Sequence, residues 1–215
     1  LLCFNLLSLL RGLHIKEFWT VPGCGFAPPR LQRSKPAYDP SAQKALPRGL
    51  TTAVEERSAD WDAKVKELAH RGFEVGALLE FFAKLGTAEL MPHFDAKRST
   101  TTDVVRSGII PDSAGTYLGD RALATVINGG NVVLPQMMVS HHWANIFTHT
   151  VAAVVADAFD VSTYAEIADV LARGEALALK ARLEELGLAK RTYWLCAVSV
   201  NQHSCICAWC PPSLK

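Results

Sequence analysis

Two short polar stretches, each containing histidine, hold most of the side chains that could do chemistry in this sequence. They comprise Ser140, His141, His142, Trp143, Asn201, Gln202 and His203. An imidazole can exchange protons near neutral pH, bind a borderline metal such as zinc, or satisfy hydrogen bonds at the end of a strand. The residues alone leave these three roles open. We predict that these seven residues bind a ligand and that they hold no metal.

The amides of Asn201 and Gln202 offer both donors and acceptors directly after an apolar stretch. In one interpretation they bind a nucleotide base or a peptide. In the other they cap the loop and the helix that follows, by satisfying backbone groups. The sequence leaves both interpretations open.

Four of the six cysteines lie within the last twenty residues. A stable zinc site usually draws on two separate chain segments, and His203 to Cys210 is only one. We therefore predict no metal and no cofactor at this segment. A secreted disulfide scaffold would spread its cysteines through a smaller chain, so we expect an intracellular, cytoplasmic protein.

Two common catalytic patterns are missing from the sequence. Glu89, Asp95 and Asp103 have no spacing that pairs them as a general acid and a general base, and we expect them in loops and helix caps. The Gly129-Gly130 pair precedes a predicted strand instead of following one, and no GxGxxG or GxxxxGK motif is present. The usual dinucleotide-binding and P-loop classes are thereby excluded.

Length, composition and charge limit the class of protein. A chain of 215 residues with 49% hydrophobic residues can form one principal domain with appendages. A formal net charge of +1 creates no field that attracts nucleic acid or an anionic membrane. The apolar run from Leu1 to Leu10 is shorter than the roughly 18 to 20 residues that span a bilayer. It fits a signal or anchor stub, an amphipathic helix or non-native sequence, and none of these supports a membrane function.

Local patterns divide the chain into four segments. Residues 1–48 are predicted to be a disordered or poorly packed arm, because prolines and glycines interrupt 22–48. Residues 49–86 are predicted to be a helical hairpin, in which Gly72 and Gly86 stop the two helices. A truncated α/β domain is expected at 87–207, followed by a divergent tail at 208–215.

Two apolar stretches define the predicted sheet. Val132 to Ser140 and Thr192 to Val200 are expected to be strands, with helical patterns between them at about 144–159, 163–174 and 175–186. Strands joined by a helical crossover pair in parallel and end at one edge of the sheet, where open α/β folds place ligand sites. We therefore predict a Rossmann-like α/β fold in which the two polar stretches meet. Three tryptophans are expected in the core: Trp61, Trp143 and Trp194.

The stretch from Arg71 to about Cys207 resembles a large family of dinoflagellate proteins that has no assigned activity. The resemblance rests on MPHFD (Met91 to Asp95), TTDVV (Thr101 to Val105), VSHHWANIF (Val139 to Phe147) and TYWLCAVSVNQH (Thr192 to His203). Within the last two motifs, the defining patterns are SHxW and YWxCxxSVNQH.

The same two motifs are remotely similar to those of the heterokaryon-incompatibility (HET) domain, a relative of the Toll/interleukin-receptor (TIR) fold. The first HET motif is serine, an aromatic residue, any residue, tryptophan and glycine, and it corresponds here to Ser140 to Ala144. The second is tryptophan, isoleucine, aspartate, two residues, cysteine, isoleucine, asparagine and glutamine, and it corresponds without a gap to Trp194 to Gln202. Cys196 replaces the aspartate and Ser199 replaces the cysteine, so the chemistry of those positions is not carried over.

This resemblance implies a Rossmann-like (TIR/flavodoxin-like) parallel sheet, incomplete in this chain, and a signalling or interaction module. Such a module acts by binding a protein partner or by self-association, and a nucleotide is a further candidate ligand. The alternative is part of an NAD-cleaving enzyme. Enzymes of the TIR fold carry their catalytic glutamate after a tryptophan-cysteine pair. Here Trp209-Cys210 is followed by Pro211-Pro212, so the alternative requires a carboxylate from beyond this chain.

Overall fold

The computed structural model describes residues 60–115 and 119–205, together with the backbone of 14–17; for residues 204 and 205, too, only the backbone is described. Two compact units are distinguished, one formed by Leu1–Phe18 with Lys66–Lys215 and the other by Trp19–Val65. The second unit is described only at 60–65, which is helical and mostly exposed. The first unit has a mixed α/β fold. No helix in the described ranges is long and apolar enough to cross a membrane.

Among the described residues, the sheet of the first unit has four strands, in the spatial order β1-β3-β4-β2. They are β1 (His14–Glu17), β2 (Phe73–Glu74), β3 (Met137–Ser140) and β4 (Thr192–Leu195). Strand β3 lies parallel to both β1 and β4, whereas β2 lies antiparallel to β4. Met138 is in register with Trp194. The predicted parallel pairing of β3 with β4 is therefore confirmed.

The helices of the described residues are mostly short. They are α1 (60–69), α2 (Val75–Lys84), α3 (Thr101–Val104), a π-helical turn (Val105–Ile109), α4 (Ile110–Ser113), α5 (Leu123–Ile127), α6 (Phe147–Ala158), α7 (Ala165–Ala172), α8 (Ala176–Glu185), α9 (Cys196–Ser199) and α10 (Gln202–Cys205). Helices α6, α7 and α8 connect β3 to β4, as the helical patterns predicted. Helix α7 begins without a side-chain cap.

The core forms where α2 and α6 pack beside the sheet. Every residue of α6 except His149 is buried. Phe147 at the start of α6 lies against Phe81 and Phe82 of α2, with ring centroids 6.4 and 6.2 Å apart. Burial of these large aromatic and aliphatic groups is the main source of stability for such a layer.

Helix α2 belongs to this core and not to a separate hairpin. Strand β2 leads directly into α2 and pairs with β4, and the amide of Gly76 donates to the carbonyl of Ala189 (3.0 Å). The sequence pattern correctly predicted the buried face of α2, but a two-residue strand is too short to leave a periodic pattern. The predicted boundary between residues 86 and 87 therefore separates parts that share one core.

Three other expectations differ from the structure. The predicted arm at 1–48 contains β1, which pairs with β3; the rest of that segment lies outside the described residues. The stretch before β3 lies outside the strand and is largely exposed, with Val132 at 65% and Leu134 at 63%. Trp61 is 38% exposed, in contrast to Trp194, whose indole is buried and donates to the carbonyl of Leu68 (2.9 Å).

Strand β4 ends at Leu195, five residues earlier than predicted. Residues Cys196–Ser199 turn into α9, and the hydroxyl of Ser199 accepts a hydrogen bond from the amide of Leu195 (3.3 Å). The amide of Val200 donates to the carbonyl of Cys196 (3.1 Å). Serine side chains compete for backbone groups in this way, so an apolar stretch with a suitably placed serine can leave the sheet early.

Candidate functional site at the strand ends

Two residues that follow the central parallel strands meet at the carboxyl edge of the sheet. His141 follows β3 and Cys196 follows β4, and Val139 is in register with Leu195. The Sγ atom of Cys196 lies 3.9 Å from Nδ1 of His141. Sulfur hydrogen bonds are long and weak, so this is a thiol-imidazole contact with either atom able to donate. A site at the carboxyl edge of the sheet, with His141 as a member, was predicted from the sequence. Cys196 was not predicted as a site residue.

His141 is partly buried, and its Nε2 atom is fully buried without a hydrogen-bond partner among the described residues. Burial lowers the pKa of His141 to about 4, and the neighbouring His142 lowers it further in the same direction. The ring is therefore neutral at pH 7. Its Nε2 atom keeps an unmet donor or acceptor, depending on the tautomer.

The neighbours of His141 on the same loop are more exposed. Ser140 is exposed at the end of β3. His142 is exposed, and its Nδ1 atom accepts a hydrogen bond from the amide of Ala144 (3.2 Å). Trp143 is half-buried, and the centroid of its ring lies 5.8 Å from the centroid of the His141 ring. An aromatic surface, two imidazoles and a thiol thus share one edge of the sheet.

The carbonyl of Trp143 fixes this loop to α3. It accepts hydrogen bonds from the amide (3.1 Å) and the hydroxyl (3.2 Å) of Thr102. Next to these contacts, Thr100 and Asp103 form a capping box at the start of α3, and hydrogen bonds from Thr100 lower the pKa of Asp103. The expectation that Asp103 is a cap residue is confirmed.

The second predicted stretch has a structural role in the geometry. Gln202 is buried, and its Nε2 atom donates to the carbonyls of Cys196 (2.8 Å) and Ala197 (3.2 Å). The side chain of Asn201 donates to the carbonyl of Asp120 (3.1 Å) and accepts from the amide of His203 (3.0 Å). The sequence left two interpretations open for these amides. Their hydrogen bonds to backbone groups agree with the capping interpretation.

His203 has a different described partner from His141 and Cys196. Its Nε2 atom is 3.0 Å from the hydroxyl of Ser113 in α4. Among the described residues, no group of three or more His, Cys, Asp or Glu side chains could hold a metal ion. The cysteine-rich end of the chain beyond 205 lies outside the described residues.

One buried polar group was missed by the sequence argument. The phenol of Tyr193 in β4 donates to Oδ2 of Asp157 in α6 (2.9 Å), and Arg191 donates to the carbonyl of Asp157 (3.0 Å). Burial raises the pKa of Tyr193, and the charge of Asp157 raises it further. An Asp inside an apolar helix was the available sequence indication, because such residues are seldom buried without a partner.

A search found no protein-family model, no curated protein and no solved structure that matches this chain. The resemblance to dinoflagellate proteins and to HET/TIR-like domains therefore stays a prediction.

Proposed function

We propose that this chain is an interaction module of the TIR/HET-like type, with a Rossmann-like core that presents a ligand-binding edge. The parallel strands β3 and β4, with three helices in their connection, support this proposal. In open α/β sheets, ligands bind at the carboxyl ends of strands.

The observation that carries the proposal is the unmet Nε2 atom of His141. A buried polar atom without a partner costs about 1–3 kcal/mol relative to one that is hydrogen-bonded. A ligand group that bonded this nitrogen would recover that energy. Because the atom is buried, binding involves a small side-chain rearrangement, as is common at interfaces.

The surroundings of His141 fit a planar ligand with polar edges. Trp143 supplies an aromatic face close to the imidazole, and aromatic groups stack on such faces. The exposed His142 and the partly exposed Cys196 complete the edge. A nucleotide such as NAD combines a planar base with hydrogen-bonding groups, and we take it as the ligand class.

Binding without turnover follows from the charges at this edge. Departure of nicotinamide from NAD builds positive charge on the ribose, which enzymes stabilise with a positioned carboxylate. Besides burial, the neighbour that lowers the pKa of His141 among the described residues is His142, and an imidazole offers no negative charge to the ribose. No described observation favours the alternative of an NAD-cleaving enzyme.

The proposal is tested by titrating the 215-residue chain with NAD in a calorimeter and then assaying the same sample for free nicotinamide. We expect saturable binding and no nicotinamide. His142→Ala should weaken binding at least fivefold, because His142 is exposed at the edge. His149→Ala is the matched control, since His149 lies on α6 beside Tyr164, and its binding should be unchanged.

Three results would contradict the proposal. They are nicotinamide release by the purified chain, absence of heat at about 1 mM NAD, where even weak complexes form, and equal weakening by the two histidine substitutions. Circular dichroism of both variants establishes that each is folded.

A further inference from the structure

A groove lies at one end of the three helices that connect β3 to β4. Its volume is about 380 Å³. The residues that line it come from the end of α6, the start of α7 and the end of α8: Phe159, Val161, Thr163, Glu166, Ile167, Arg182 and Leu186. None of these residues takes part in the strand-end site.

The groove combines exposed apolar groups with two opposite charges. Val161 is 47% exposed and Leu186 is 48% exposed, although large aliphatic side chains gain free energy by burial. Glu166 is exposed on one wall, and the side chain of Arg182 is 60% exposed on another. Arg182 has an ion pair with the equally exposed Glu185 (2.7 Å), and surface pairs of this kind contribute little and exchange easily.

We propose that this groove is a self-association surface, and that its occupant is a second copy of the same chain. In a twofold-symmetric dimer the same patch faces itself, so a patch that carries only one sign of charge repels its copy. A patch with Glu166 on one side and Arg182 on the other is self-complementary, because each carboxylate faces the guanidinium of the other copy. Val161 and Leu186 then become buried between these ion pairs.

This inference rests on the proposed function, since it names the partner of the interaction module. The groove is small, so the surface it buries belongs to the range of transient interfaces, below about 1,200 Å² in total. Association should therefore be weak, reversible and dependent on protein concentration. Its ion pairs should also weaken in high salt.

The first test compares Leu177 in α8 with Leu186, the C-cap residue of α8, by sedimentation velocity of the full chain over a range of concentrations. Leu186 lines the groove, whereas Leu177 is equally apolar, 57% exposed and absent from the groove lining. Nine residues separate them, about two and a half helical turns, so they lie on opposite sides of the helix. Leu186→Glu should raise the dimer dissociation constant at least tenfold, and Leu177→Glu should leave it unchanged.

The second test exchanges the charges. Arg182→Glu alone and Glu166→Arg alone should each raise the dissociation constant at least fivefold, because each places like charges opposite one another. An equimolar mixture of the two single variants should associate again, as each then faces the opposite charge. The chain that carries both substitutions should also recover self-association.

The proposal is overturned by a wild-type chain that stays monomeric at about 1 mM, by equal effects of the two leucine substitutions, or by single charge variants that do not complement each other. A shared loss of folding is detected by thermal denaturation of each variant. The titration with NAD reads the carboxyl edge of the sheet, which shares no residue with the groove. A failed dimer test therefore leaves the ligand result standing, and a failed NAD titration leaves the dimer result standing.

Discussion

At the scale of single residues, His141 makes a pH-dependent contribution to stability. Its pKa in the folded chain is about 4, against an ordinary value of 6.5, so folding favours the neutral ring. This contribution to the free energy of unfolding is present above pH 6.5 and is lost as the pH falls towards 4. The difference between the two pKa values corresponds to roughly 3 kcal/mol. We expect the free energy of unfolding in urea to decline across this window.

Other groups also titrate in acid, so the measurement is a comparison. His141→Gln removes the titrating ring, and its unfolding free energy should fall less steeply between pH 6.5 and 4 than that of the wild type. His149→Gln serves as the control, because it removes a histidine from α6 and leaves the strand end intact. Parallel pH profiles for the wild type and His141→Gln would show that the ring is solvated.

Tyr193 and Asp157 form a buried hydrogen bond that should be measurable by substitution. Tyr193→Phe removes the donor to Oδ2 of Asp157 and should lower the free energy of unfolding by about 1–2 kcal/mol. Asp157→Asn keeps an acceptor in the same place and should cost less than Asp157→Ala. Because the pKa of Tyr193 is raised in the fold, its contribution is present below pH 10 and is lost as the pH rises through the higher folded value.

Urea denaturation of these variants at pH 7 provides the check. Unchanged stability of Tyr193→Phe, or equal losses for Asp157→Asn and Asp157→Ala, would contradict the described contact. Sequence reasoning could not find this pair, since 36 residues separate its members and only the packing of α6 on β4 brings them together.

At the scale of elements, Gly72 lies where the sequence predicted a helix stop, but glycine is needed there for a different reason. The sequence predicted it as the stop of a helix, and it does follow α1. However, a Cβ atom here would lie 2.8 Å from the carbonyl oxygen of Val133 and 2.9 Å from the nitrogen of Pro135. The need for glycine therefore comes from the close approach of two backbone segments.

Gly72→Ala should cost about 2–3 kcal/mol of unfolding free energy, because backbone atoms on both sides must move. Gly108→Ala is the matched comparison. Its Cβ would meet Cδ2 of Leu85 at 3.0 Å, the flexible end of a side chain, so its cost should be about 1 kcal/mol or less. Equal melting temperatures for Gly72→Ala and the wild type would contradict the close backbone approach.

The elements themselves were predicted where periodic patterns are long. The apolar faces of α2, α6 and α8 and the pairing of β3 with β4 follow from hydrophobic spacing and from the crossover rule. Strand β2 and helix α9 are too short for any period. Their positions depend on contacts such as the hydrogen bond from the amide of Leu195 to the hydroxyl of Ser199. For this reason β4 was predicted to be longer than it is.

At the scale of the whole molecule, the predicted edge of the sheet divides into two parts. The stretch after β3 carries the exposed Ser140 and His142, whereas the amides of Asn201 and Gln202 hold α9 and its neighbouring loop in place. The sequence pattern predicted both stretches at one edge but could not assign their hydrogen bonds. Those depend on where α9 turns the chain, which no local pattern reports.

The proposed ligand site at this edge depends on the unmet Nε2 atom of His141, which imidazole ¹⁵N NMR observes directly. The full chain is labelled at histidine, its ring nitrogens are assigned with His141→Gln, and NAD is added stepwise. We expect Nε2 of His141 to shift and saturate with NAD, while the ring nitrogens of His149 stay unchanged and no nicotinamide appears. An unmoved His141 resonance at saturating NAD would contradict a binding site at the ends of β3 and β4, and free nicotinamide in the tube would contradict binding without turnover.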